Sequence, residues 1–139
     1  MGWIGPLLLL IGVGVLGAVR GANAPGDLDW QPDLASARQL ALHTHQPLLL
    51  MFYTQGCVWC GKMEAETFAD SNVVALSKRF VCVRIDGEMA SDLCSQYRVN
   101  TYPTTVFLDW QGRSLGKLPD YASPASFSDA QRRVLQASK

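Results

Sequence analysis

The most apolar stretch of the chain is its start. From Trp3 to Val19 no residue is charged, Leu7 to Ile11 is solidly apolar, and Val13, Val15, Leu16 and Val19 extend the run. A secretory signal core spans about 7–15 apolar residues and a membrane-spanning helix about 17–25, so this stretch sits between the two. Ala22-Asn23-Ala24 has the small-x-small form of a cleavage site, although Pro25 behind it hinders cleavage. Arg20 follows the run instead of preceding it. Read literally, the positive-inside rule would then leave the domain in the cytoplasm, but a single arginine is a weak determinant. Residues 1–24 are read as a signal peptide or membrane anchor. Residues 25–32 are read as a linker and residues 33–139 as one folded domain.

Beyond the linker the pattern alternates between helical and strand spacing. Pro32-Asp33 opens a helix whose Leu34, Ala37, Leu40 and Ala41 recur on one face, and His43, Thr44 and His45 end it. Leu48 to Tyr53 is a continuous apolar run of strand length, the pattern of a central strand covered on both sides. A helix is predicted from Cys57 to about Thr67, and Asp70-Ser71 caps another with Val73, Val74 and Leu76 inward. Phe80 to Ile85 is a strand and Met89 to Tyr97 a short helix. Thr104 to Asp109 and Ser114 to Leu118 are strands joined by a hairpin turn at Trp110-Gln111-Gly112-Arg113. Ser126 to Gln136 is a final helix with Phe127, Ala130, Val134 and Leu135 inward. This order implies parallel strands joined by crossover helices, followed by one antiparallel hairpin.

Composition narrows the function classes. Hydrophobic residues make up 48% of the chain and charged residues 17%, enough for a packed core and too few charges for wholesale disorder. The 12 basic residues balance 12 acidic ones with no long block of either sign, which argues against a nucleic-acid partner held by charge. Four cysteines, Cys57, Cys60, Cys82 and Cys94, are too sparse for a disulfide-stapled scaffold.

Cys57-Val58-Trp59-Cys60 follows the buried strand and opens a helix. The first sulfur then lies where free N–H groups and the positive end of the helix favour thiolate over thiol, making Cys57 the nucleophile. One turn on, Cys60 can resolve the mixed disulfide. Zinc sites also use a CxxC pair, but Cys82, Cys94, His43 and His45 do not stand at finger or ribbon spacing from it. Glu64 and Glu66 read as a solvated face, and Lys62 as surface charge near the motif. Cys82 and Cys94 read as small buried hydrophobes, with a structural disulfide or a second redox pair as alternatives.

The strand–Cys57-Val58-Trp59-Cys60–helix unit resembles the thioredoxin superfamily. Tyr97-Arg98-Val99-Asn100-Thr101-Tyr102-Pro103-Thr104-Thr105 is similar to that family's approach to a cis-proline. The run from Cys57 to Asp70 is similar to thioredoxin-like domains with a C-x-W-C…M-E-x-x-x-F-x-D pattern, among them the soluble domain of a bacterial thiol-disulfide interchange reductase. The resemblance implies a three-layer α/β/α sandwich with a central mixed sheet. It implies catalytic Cys57 and Cys60, and a partner-binding surface with Trp59, Tyr102 and Pro103. Met51 departs from the pattern, standing where many thioredoxins carry a buried acid.

The resulting expectation is a thiol-disulfide oxidoreductase, acting as reductase or electron relay in the periplasm or another extracytoplasmic compartment. It needs no cofactor beyond the Cys57–Cys60 disulfide and no metal. Its partners are protein thiols and disulfides and an upstream redox protein, with membrane association possible through residues 3–19. The chain itself is expected to be a monomer. A metallochaperone using the CxxC pair and a non-catalytic adaptor remain as alternatives.

Overall fold

The computed structural model describes Gly2 and residues 27–139; the apolar run, the cleavage pattern and part of the linker lie outside the described residues. The elements are β1 Trp30–Gln31, α1 Leu34–Thr44, β2 Leu48–Tyr53, α2 Val58–Lys62, a π-helical turn Met63–Thr67, α3 Ser71–Ser77, β3 Val81–Asp86, α4 Ser91–Gln96, β4 Thr104–Leu108, β5 Ser114–Pro119 and α5 Pro124–Ala137. The five strands form one sheet in the order β1-β3-β2-β4-β5. β2 runs parallel to β3 and antiparallel to β4, so the sheet is mixed, with β2 at its centre. Among the described residues, no helix is long and apolar enough to cross a membrane.

Strand alternation divides the core between two faces. Leu49 and Met51 of β2, Cys82 of β3 and Phe107 of β4 face α3, α5 and the helix after the cysteine motif. Leu48, Leu50 and Phe52, with Val81, Val83, Ile85, Val106 and Leu108, face α1 and α4. Helices thus cover both sides of the sheet, the three-layer sandwich expected from the sequence. Full burial of β2 from Leu48 to Phe52 explains its unbroken apolar run: neither face meets water. Phe127 of α5 meets Phe68 and Phe107 at ring separations of 5.4 and 5.9 Å, tying the last helix to the motif side of the sheet.

Helix starts follow local chemistry. Asp33 accepts a hydrogen bond from the Ser36 N–H at 2.7 Å, which holds its carboxyl below the usual carboxylate range. Asp70 caps α3 through Asn72 and Val73, and Ser123 caps α5 with Pro124 in its first turn. At the hairpin, burial pushes the Asp109 carboxyl up, but hydrogen bonds from the Arg113 and Gln111 backbone and the Arg113 side chain outweigh it and hold it low.

Three features differ from the sequence reading. Trp30 and Gln31, placed in the linker, form an edge strand paired with Cys82 and Val83, and Leu28 is buried. Leu40 is exposed, because two small residues, Ala37 and Ala41, bring α1 close to the sheet and turn the larger side chain outward. The helix after the motif changes to π spacing at Met63, with the Phe68 N–H donating to the Met63 carbonyl at 2.9 Å. That extra residue in the turn places Met63, Thr67 and Phe68 all in the core.

Candidate active site

The site forms where central strand β2 ends and α2 begins. Gly56, with φ 72°, makes the left-handed bend in the connecting loop that other residues rarely adopt. Cys57 is then the N-cap of α2, in extended conformation, and its sulfur accepts a hydrogen bond from the Cys60 N–H at 3.2 Å. The two sulfurs are joined in a disulfide with the Cα atoms 5.3 Å apart. Cys57 is half-buried, whereas Cys60 is only 5% exposed. Between them Val58 and Trp59 point outward, at 82% and 54% exposure. A reachable first sulfur with a shielded second one is the asymmetry that attack followed by resolution requires.

Trp59 is held in place by neighbours the sequence reading did not connect. Its ring lies 5.6 Å from that of Tyr121, and the Lys62 ammonium sits 4.9 Å and 5.1 Å from the two ring centres. The Tyr121 hydroxyl donates to Glu66 at 2.8 Å, which raises its own pKa. The Thr67 hydroxyl donates to the Ala122 carbonyl at 2.6 Å. These bonds dock the β5–α5 connection onto the motif helix. Glu64 forms an ion pair with Arg84 of β3, whose guanidinium lies 4.9 Å from the Trp30 ring centre. Glu66 and Lys62 are exposed and Glu64 half-buried, in keeping with a solvated face and a surface charge, but all three are engaged by neighbours.

The peptide bond between Tyr102 and Pro103 is cis, and Pro103 is buried at the start of β4. Tyr102 and Trp59, with Asp120 and Tyr121, line one groove of about 310 Å³. The second sequence motif thus shares a surface with the dipeptide of the first. A hollow of about 470 Å³ on the other side of the motif is lined by both cysteines, Glu64 and Arg84. Asp120 and Tyr121 reach the site through the register of β5. Pro119 pairs with Thr104, so whatever follows β5 must lie beside Pro103. Reading the return strand as ending at Leu118 hid this.

The other candidates lie elsewhere. Met51 is fully buried on the Cys60 side of the sheet. Cys82 is buried and free; burial, aided by the charge of Asp29, pushes its thiol up to about 12. Cys94 is also free and half-buried, so the second disulfide considered from the sequence is not formed. His45 caps α1 with φ 55° and meets Trp110 edge-on at 4.5 Å, a structural contact. Among the described residues, no group of three or more His, Cys, Asp or Glu side chains is placed to hold a metal ion.

Comparison with known proteins agrees with this geometry. The profile of the thioredoxin-like family matches residues 29–109, well over half of the chain. The chain belongs to the thioredoxin-like family. Within this family it is 32% identical over 108 residues to the thiol:disulfide interchange protein DsbD of Vibrio vulnificus, covering 73% of the present chain but only 18% of that protein. The solution structure of a thioredoxin from Thermus thermophilus superposes with a TM-score of 0.73 at 26% identity, over 81% of this chain and 90% of that one. The oxidised C-terminal domain of DsbD from Neisseria meningitidis superposes with a TM-score of 0.61 at 22% identity, over 72% and 91%, a likeness of fold.

Proposed function

We propose that this thioredoxin-like protein is a thiol-disulfide oxidoreductase that reduces protein disulfides, or relays electrons between protein dithiols, outside the cytoplasm. The observation that carries the reading is the Cys57–Cys60 disulfide at a helix N-terminus, with its half-buried cap sulfur and shielded partner. In the reduced protein, the Cys57 thiolate attacks one sulfur of a partner disulfide. A mixed disulfide forms and the partner's other sulfur leaves as thiolate. Cys60, deprotonated, then attacks the Cys57 sulfur, the second partner thiolate leaves, and two electrons have passed to the partner. The Cys60 N–H, bonded to the Cys57 sulfur in the oxidised state, is placed to stabilise the attacking thiolate.

Trp59, Tyr102 and Pro103 are assigned to partner binding, because the first two share the groove beside the motif and Pro103 holds the base of that segment. The reducing direction is supported by similarity to an interchange protein and by the absence of His from Val58-Trp59. Export is supported by the apolar run at residues 3–19, and the working unit is proposed to be a monomer.

Trapping tests the reading. A Cys60→Ser variant is expected to accumulate mixed disulfides through Cys57, visible on non-reducing gels and released by dithiothreitol. Cys57→Ser should accumulate none. Equal trapping by both variants, or by neither, contradicts the assignment.

A further inference from the structure

Tyr102 is seated in a socket that the exchange chemistry does not use. Its hydroxyl lies 3.4 Å from the Cys94 sulfur of α4, and that sulfur donates to the Gly87 carbonyl at 3.6 Å. The ring itself packs over Gly87, where a Cβ would collide with it. Gly87 is fixed in turn by its N–H, which donates to the Tyr53 carbonyl at 2.7 Å. Tyr53 ends β2, four residues before Cys57. The socket is thus tied to the strand that delivers the nucleophile. The ring also touches both core faces, while lining the groove with Trp59.

We infer that Cys94 is a positioning residue for partner binding: with Gly87 it fixes the Tyr102 ring, and so holds one wall of the groove beside Cys57 and Cys60. The inference rests on the proposed exchange chemistry and adds the device that sets its affinity for protein partners. The physical argument is preorganisation. A ring held in a single position before contact costs nothing to order when the partner docks, whereas a loose ring must be ordered at the expense of affinity. The hydrogen bond to Cys94, together with burial, pushes the Tyr102 phenol up to about 12, in keeping with the contact between the two side chains. Packing alone would ask only for a small apolar side chain at position 94. The specific pairing of thiol and phenol distinguishes the two roles.

A saturation series with the full-length protein tests this. Pre-reduced protein is mixed with increasing insulin, a protein disulfide, and the conversion of its own dithiol to disulfide, followed by tryptophan fluorescence, gives a half-saturation concentration and a limiting rate. Loss of one hydrogen bond predicts a rise of about fivefold in half-saturation for Cys94→Ala, with the limiting rate held within about twofold of wild type and the redox potential unchanged. Cys94→Ser should recover most of the loss, since a hydroxyl can meet the phenol. Gly87→Ala should raise half-saturation further by displacing the ring. Tyr102→Phe removes the same bond from the other side and serves if Cys94→Ala folds poorly. The double variant should then be no worse than the worse single one, because both delete one interaction.

Unchanged half-saturation in Cys94→Ala and Tyr102→Phe, with wild-type protein reacting normally, overturns the inference and leaves the proposed function standing. So do strictly additive effects. If wild type leaves insulin intact, the reducing direction fails, and the same series is run with oxidised protein against reduced ribonuclease. Reaction there with the same shifts supports the inference. No reaction in either direction overturns both proposals.

Discussion

The Cys57 sulfur accepts a hydrogen bond from the Cys60 N–H at 3.2 Å while bonded covalently to the Cys60 sulfur. The cap position of α2 therefore marks one sulfur of the pair out chemically. Its partner lies a turn deeper, among Met51, Met63 and the aromatic side chains of the core.

That asymmetry predicts selective alkylation. In the reduced protein at neutral pH, Cys57 should react with iodoacetamide at least about tenfold faster than Cys60, and Cys82 should not react until the protein unfolds. Peptide mapping by mass spectrometry reads each site. Equal labelling of Cys57 and Cys60 contradicts the division of roles.

Met51→Asp restores the acid that many thioredoxins carry, but into a site with no exposure. An uncompensated buried carboxylate is costly, and a loss of about 2–5 kcal/mol is expected at pH 7. Burial raises the carboxyl pKa of the folded state above its unfolded value near 3.9. The penalty should thus be smallest below about pH 4 and grow as pH rises through the folded-state value. Urea unfolding at a series of pH values checks both the size and the sign.

Alkaline stability follows from Cys82. Its thiol rises from 9.0 unfolded to about 12 folded, so the neutral form is favoured in the core. The stability that this contributes is complete below pH 9 and is lost as pH rises from 9 to 12. Tyr102, moving from 10.0 to about 12, acts in the same direction. Cys82→Val, close in volume, should lose less stability than wild type between pH 8 and 11. Parallel losses in the two proteins contradict the assignment.

Much of this fold is legible in the sequence because burial is complete where the signal is strong. Leu48 to Phe52 is apolar throughout since helices cover both faces of β2, and α5 shows its inward face in Phe127, Ala130, Val134 and Leu135. β1 is hidden because two residues, Trp30 and Gln31, are too few to show a period. The π turn is hidden because Met63, Thr67 and Phe68 make sense only after one residue is added to the helical spacing. At the site, Cys57, Cys60, Trp59, Tyr102 and Pro103 stand in local motifs. Tyr121 and Cys94 join them only through tertiary contacts: Tyr121 lies 62 residues beyond Trp59 in the chain, and Cys94 of α4 reaches Tyr102 in the segment before β4.

Trp59 should matter to partners more than to the redox couple. Half exposed and backed by Tyr121, it offers a large flat surface that costs little to order. Trp59→Ala is expected to raise half-saturation with insulin about tenfold, since truncating a central aromatic anchor removes about 1–2 kcal/mol or more. Reduction by dithiothreitol, which needs no groove, should change far less. A parallel loss against both reagents places Trp59 in the chemistry instead of the docking surface.

The central claim is that Cys57 and Cys60 form a working redox couple, and equilibrium titration tests it most directly. The protein is equilibrated in graded glutathione and dithiothreitol buffers, and its state is read by tryptophan fluorescence and thiol alkylation. The predicted result is one reversible two-electron transition, absent in Cys57→Ser, with a potential closer to the thioredoxin value of about −270 mV than to the strongly oxidising value of about −120 mV. A potential at the oxidising end contradicts the reducing direction, and the lack of any reversible transition contradicts the redox role itself.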